Sequence, residues 1–443
     1  MEFVHGSYEK GQTIAAVATP PGEGGVAIIR ISGNDALLVG QKIFSGPVQN
    51  FATHTVHFGQ ILDEGEVIDE GLFIPMKGSR SYTGEDTVEI HCHGGILITE
   101  RVLQAALKAG ARAALPGEFT AKAFLNGKLD LTQAEAVQAL IGSKNEKSLQ
   151  AAKHHLDGRL YQKISSFQKK LFDLAAIFEA WVDFPEEGLE FASMEEVIED
   201  LETIVKDMDS LLDTFNDGSR LFSGFTLCLL GDPNVGKSSL LNALTGKNRA
   251  IVTDIPGTTR DLIEEQISIG DLHFKLIDTA GLRETDEVIE KEGIARSKQA
   301  ALEADLVLYI QDVRSYIPHS TPPNTLVVLN KADLPHTTTY PLKVSALTGE
   351  GLPELKEAIC KAVFKNGSPN KEDLILLSRR HFLSLQKGKE ALETVISGLK
   401  SHLSPEWITS DMRLALHHLG NLIGTNITED LLSAIFSKFC VGK

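Results

Sequence analysis

The 443-residue sequence carries 43 Lys and Arg against 60 Asp and Glu, a formal net charge of −17, with 42% hydrophobic and 23% charged residues. That composition belongs to an ordinary globular protein of several domains and excludes a disordered or fibrous chain. The acidic balance excludes broad, nonspecific nucleic-acid binding, because a phosphate backbone would be repelled over most of the surface.

Four widely spaced cysteines, Cys92, Cys228, Cys360 and Cys440, suggest neither a disulfide framework nor a zinc pattern. No apolar run is long enough to span a bilayer and residues 1–12 lack the apolar core of a signal peptide, so a cytoplasmic location with no membrane partner is expected.

In chain order, residues 13–18 and 26–31 read as strands flanking a Pro- and Gly-rich turn. Residues 87–93 form a third strand ending at Gly94-Gly95, and 96–109 have helical periodicity. Period-two alternation puts Glu89, His91 and His93 on one face, where a polar sheet surface is a simpler reading than a metal site. From 129 to about 218 the apolar spacing is helical. Leu201, Ile204, Met208, Leu211 and Leu212 share one face, as a core stripe requires. The same texture returns from about 372, so one helical domain interrupted by an inserted module explains both halves. Residues 439–443 read as a terminal tail, a kind of segment that is usually mobile.

The inserted block carries the chemistry. Residues 231–238 match G-x-x-x-x-G-K-S, after an apolar run at 225–230 and before a helical one at 239–244, which is the setting a phosphate loop needs. Its N–H groups would cradle phosphate, with Asn234, Val235, Gly236 and Ser239 among the nucleotide contacts. Lys237 would reach the β and γ phosphates, and Ser238 would offer its hydroxyl to magnesium. A strand at 274–277 leads to Asp278-Thr279-Ala280-Gly281, where Asp278 would hold magnesium through water and the Gly281 N–H would approach the γ-phosphate. A strand at 326–329 delivers Asn330, Lys331 and Asp333. A carboxylate there pairs with the N1–H and amino group of guanine, whereas adenine would leave it unpaired. Ser345 and Ala346 would support the base. Leu282 follows Gly281 where many small GTPases carry the water-orienting glutamine, so another group must do that work. The acidic segment 283–290 supplies candidates. Arg260, Arg283 or a bound cation could supply transition-state charge.

Beyond these motifs, residues 18–26, 81–86, 93–95, 116–119, 124–130, 251–261 and the end Phe439-Cys440-Val441-Gly442-Lys443 resemble the MnmE (TrmE) family of tRNA-modification GTPases, over essentially the whole chain. The resemblance implies an α/β P-loop G domain (219–371) inserted in an all-α helical domain (127–218 and 372–443), preceded by an α+β folate-binding and dimerisation domain (1–126). It also implies a potassium ion held by Asn234, Thr253, Ile255 and Thr258, magnesium held by Ser238 and Thr259, and Glu290 orienting the water. Asn234, Lys237 and Glu290 would then be catalytic, with Thr253, Thr258 and Thr259 completing the nucleotide contacts.

Arg30, Glu89, Lys128 and Lys443 would bind reduced folate, 5-formyl- or 5,10-methylene-tetrahydrofolate. The implied partners are GTP and GDP, tRNA, a flavin-dependent protein of the MnmG (GidA) type and a second copy of the chain. Together they would add an aminomethyl or carboxymethylaminomethyl group to wobble uridine. The alternative is a regulatory GTPase in RNA or ribosome assembly. Cys440, near a lysine, is a candidate reactive thiol. Glu23 and Val441 depart from the arginine and isoleucine common in the family, and neither touches a nucleotide motif.

Overall fold

The computed structural model describes residues 8–183, 193–245, 266–277, 301–318, 321–364, 370 and 372–443. They fall into two compact units: Met1–Gln138 with His154–Met208 and Leu383–Lys443, and Ala139–Lys153 with Asp209–Phe382.

The chain begins with β1 (Ile14–Val17), β2 (Ala27–Ser32), α1 (Ala36–Ile43), β3 (His57–Asp63), β4 (Glu66–Met76), β5 (Thr87–Cys92), α2 (Ile96–Lys108), β6 (Arg112–Ala113) and α3 (Glu118–Leu125). The strands make one sheet in the order β3-β4-β5-β2-β1-β6, antiparallel except for the parallel β1–β6 pair. Alternation divides its faces. Ala27, Ile29 and Ile31 of β2 join Val88, Ile90 and Cys92 of β5 in a core with Val39 of α1 and Val102 of α2. On the opposite face, Ile14 and Ala16 are covered by Phe119 of α3. His93 lies one residue past β5 and pairs with Asp69 at 2.8 Å, so it does not continue the strand face of Glu89 and His91.

Two charged side chains are packed where sequence patterns would place surface residues. Lys122 is fully buried; its Nζ donates to Glu85 Oε2 and to Gln12 O, both at 2.8 Å. Glu85 Oε1 accepts from Gly11 N at 2.9 Å and from Asn126 Nδ2 at 3.2 Å. Burial alone would raise the Glu85 pKa, but Lys122 and the Gly11 and Asn126 donors outweigh it and hold the carboxyl below its ordinary 4.5. The pair therefore contributes stability above that value and loses it as pH falls through the lower folded pKa. Lys122→Met leaves Glu85 buried without its cation, which costs about 3–5 kcal/mol. Urea unfolding followed between pH 7 and 3 should show that loss at neutral pH and a smaller one in acid; a variant within 1 kcal/mol of the parent at neutral pH, on the order expected for an exposed pair, would contradict it.

Helices follow: α4 (Leu131–Gly142), α5 (Glu146–Leu156), α6 (Arg159–Asp183), α7 (Met194–Leu212) and α8 (Phe215–Ser223). The α7 stripe is buried at Leu201, Ile204, Met208 and Leu211, as its spacing predicts. The second unit's sheet comprises β7 (Phe225–Leu230), β8 (Gln266–Ile269), β9 (Leu272–Leu276), β10 (Leu306–Asp312) and β11 (Thr325–Asn330), with α9 (Lys237–Thr245) after β7 and α10 (Leu352–Ala362) after β11. Its order is β11-β10-β7-β9-β8, parallel except for the β8–β9 hairpin. The elbow between α4 and α5 belongs to this unit: Asn145 Nδ2 donates to Leu221 O at 2.9 Å, and Lys144 Nζ to Gln266 Oε1 at 3.2 Å.

The chain closes with α11 (Arg379–Lys400), α12 (Pro405–Ile423) and α13 (Glu429–Phe436). The last residues are anchored instead of free. Phe439 packs with Phe436, Ala121 and Leu131; Gly117 N donates to Cys440 O, and Phe119 N to Lys443 O. Gly442 has φ +94°, and a Cβ there would collide with Val17 O, so the close pass over β1 requires glycine.

Candidate functional site

The phosphate loop and the Asn330–Asp333 segment converge at the C-terminal ends of parallel strands. β7 lies between β10 and β9, and the chain leaves it toward a helix on a point where the strand order reverses, where open α/β sheets bind ligands. The loop 231–236 fills that point, and α9 begins at Lys237. Asn234 adopts a left-handed backbone, φ +61°, which asparagine tolerates. Lys237 Nζ lies over the loop, donating to Gly231 O at 2.8 Å and Asp232 O at 2.9 Å. Desolvation lowers its pKa, and the Asp232 charge partly opposes this. Ser238 and Ser239 are exposed in the first turn of α9.

Asn330 joins the phosphate loop to the base-reading segment. It is 2% exposed; its Nδ2 donates to Val235 O at 2.9 Å, and its Oδ1 accepts from Ala346 N at 3.1 Å. Gly236, with φ +91°, lies so close that a Cβ there would collide with Asn330 Nδ2. Asp333 is exposed, and its Oδ1 accepts from Ser345 Oγ at 2.5 Å, which fixes the carboxylate's orientation. Lys331, at φ +66°, donates to Asn234 O at 2.7 Å and pairs with Asp312 Oδ2 at 3.0 Å.

Asp312 is the residue that motif reading misses. Its carboxylate also accepts from Arg314 Nε at 2.9 Å and Arg314 NH2 at 2.6 Å. Arg314's hydrogen bonds, with Lys331's behind them, outweigh burial and hold the Asp312 carboxyl well below the usual range. A permanent anion at the end of β10 thus orients Lys331 across the phosphate loop. The available signal was an acid at the carboxyl end of a buried parallel strand.

In the other unit, the sheet face opposite α1 and α2 gathers a second set. Arg30 Nε and NH2 reach Glu89 Oε1 at 2.9 and 2.8 Å, and Arg30 NH1 donates to Gly442 O at 3.2 Å. The Arg30 guanidinium lies 5.7 Å from the Phe119 ring centre. Arg30, Glu89 and the chain end are therefore together. Lys128 is held separately, its Nζ donating to Ser79 O at 2.8 Å. Cys440 is exposed. Among the described residues no three His, Cys, Asp or Glu side chains cluster to hold a metal.

Thr253, Ile255, Thr258, Thr259, Arg260, Asp278, Gly281, Leu282, Arg283 and Glu290 lie outside the described residues.

Two family models cover the chain: the N-terminus of the GTP-binding protein TrmE over residues 13–128, and the MnmE helical domain over 131–440. A tRNA modification GTPase MnmE from Protochlamydia amoebophila is 53% identical over 461 residues, covering all of both chains. The chain belongs to the MnmE (TrmE) family. The Chlamydia trachomatis MnmE is 44% identical, covering 98% of this chain and all of its own. The fold is that of the family: a P-loop α/β G domain inserted in an all-α helical domain, after an α+β N-terminal domain. The G domain of FeoB from Methanococcus jannaschii is 28% identical, covering 31% of this chain and 97% of that one, with a TM-score of 0.22. No helix among the described residues is long and apolar enough to cross a membrane.

Proposed function

We propose that this chain is a potassium-activated GTPase that acts, as a homodimer in the cytoplasm, with a flavin-dependent partner of the MnmG (GidA) type to add an aminomethyl or carboxymethylaminomethyl group to the wobble uridine of tRNA. The observation that carries the nucleotide half is Asn330, which ties the phosphate loop to the segment orienting Asp333. Membership of a family whose relatives are named tRNA modification GTPases supports the other half.

In this reading Asp333 accepts from guanine, Ser345 and Ala346 back the base, and loop N–H groups of residues 234–239 hold the phosphates. The exposed Ser238 hydroxyl and Asn234 amide are oxygen donors of the type hard cations take. Ser238 and Thr259 would hold magnesium, with Asp278 behind a water, and Asn234, Thr253, Ile255 and Thr258 would hold potassium. When bound, the two cations supply positive charge beside the β and γ oxygens, the task an arginine finger performs elsewhere. Lys237 reaches the same oxygens, Gly281 donates to the γ-phosphate and Glu290 orients the water that Leu282 cannot. The N-terminal domain, 1–126, binds reduced folate through Arg30, Glu89, Lys128 and Lys443, with folate as the carbon source; Cys440 stands ready beside it as a thiol.

Incubating the full chain with the flavin-dependent partner, tRNA, GTP, magnesium, potassium, 5,10-methylene-tetrahydrofolate as carbon source, ammonium or glycine as nitrogen source and a nicotinamide reductant for the flavin, then analysing nucleosides by mass spectrometry, tests the proposal. The wobble uridine should gain the substituent with the parent chain and not with Glu89→Ala. Unmodified uridine with the parent would contradict it.

A further inference from the structure

The open sheet face beside Arg30 holds, next to Glu89, a histidine that none of the assigned roles uses. Two rows of side chains cross the strands in register: Phe58, Leu72, His91 and Ile28 in one, and Ile74, Glu89 and Arg30 in the next. Phe58 is 73% exposed and Leu72 36%, an apolar floor bare enough for a flat ring. Arg30 Nε and NH2 both bind one oxygen of Glu89, Oε1, leaving Oε2 directed at His91. His91 Nε2 lies 3.6 Å from that oxygen, beyond hydrogen-bond reach, and is buried with no hydrogen-bond partner among the described residues. A buried ring nitrogen without a partner is rare in native structures and asks for one.

A free carboxylate oxygen beside an imidazole N–H is an acceptor next to a donor. Its complement is a lactam edge, an N–H beside a C=O, on a flat heterocycle whose face rests on Phe58, Leu72 and Ile28. We propose that His91 is a specificity residue of this site: its Nε2–H donates to the 4-oxo oxygen of a pterin while Glu89 Oε2 accepts from the adjacent ring N–H. Arg30 acts as the clamp that turns Glu89 into a one-sided acceptor. This rests on the reduced-folate reading of the face and adds to it the edge that is read and the residue that reads it. A site built to donate to an oxygen rejects an analogue that places a donor there, since the two hydrogens then face each other.

Isothermal titration of the full chain with 5-formyl-tetrahydrofolate and with its 4-amino-4-deoxy counterpart tests the assignment. His91→Ala should weaken the 4-oxo ligand about tenfold while the 4-amino ligand, relieved of the facing N–H, binds no more weakly than to the parent, and His91→Gln, whose amide can donate, should restore most of the loss. A structural effect of the substitution would weaken both ligands alike and would overturn the proposal. If the parent binds the 4-oxo ligand and Glu89→Ala abolishes binding while His91→Ala leaves it within twofold of the parent, the assignment of His91 falls and the folate reading stands. No binding by the parent overturns both.

Discussion

Asp333→Asn should exchange a guanine preference for a xanthine one. In the proposed contact the carboxylate would accept two N–H groups from guanine, and hydrogen bonds to a charged group contribute about 1.5–3 kcal/mol. Replacing it with an amide places an NH2 against the guanine amino group, so GTP should bind about tenfold to a hundredfold more weakly on that scale. Xanthine carries an oxygen at that position and accepts from the new amide. Ser345 Oγ, 2.5 Å from Asp333 Oδ1, can keep the same partner in the variant, so the side chain stays aimed while its donor pattern changes. Competition of XTP and GTP for the variant reads this directly, and an unchanged GTP preference would remove Asp333 from base recognition.

Lys237→Ala should abolish most hydrolysis. In the structure the ammonium sits over the loop on the carbonyls of Gly231 and Asp232, at the start of α9, where a triphosphate's β and γ oxygens would meet it. Removing one preorganised charge from the transition state of a transfer reaction costs about 10²–10³ in kcat. Lys237→Arg should not restore it, because a planar guanidinium does not replace a compact ammonium wrapped by a tight loop. Single-turnover hydrolysis with the protein in saturating excess over nucleotide separates this loss from weaker binding; a rate within fivefold of the parent would contradict the role.

Local patterns made the nucleotide unit legible. The run at 225–230 is β7 and the run at 326–329 lies within β11, because short apolar stretches bounded by turn chemistry leave the backbone little alternative. Asp312 was not legible: its two partners, Arg314 just past the end of β10 and Lys331 just past β11, are linked by no motif spacing. Lys122 and Glu85 carry charges that default to the surface, and only the fold brings Gln12, Gly11 and Asn126 around them. The chain end is the clearest failure of local reasoning. A polar C-terminal stretch reads as free, yet Arg30 and Phe119, more than three hundred residues earlier, hold Gly442 and Lys443. His91 could be placed on a face by alternation; its unpaired nitrogen needed the position of Glu89 and the Arg30 clamp.

Steady-state GTP hydrolysis by the full chain in potassium against sodium, at equal ionic strength and saturating magnesium, tests the proposed activity most directly. Asn234, Thr253, Ile255 and Thr258 as ligands of a catalytic potassium ion predict turnover at least tenfold faster in potassium, on the scale of one added electrostatic contact in the transition state. Equal rates in the two salts would contradict it.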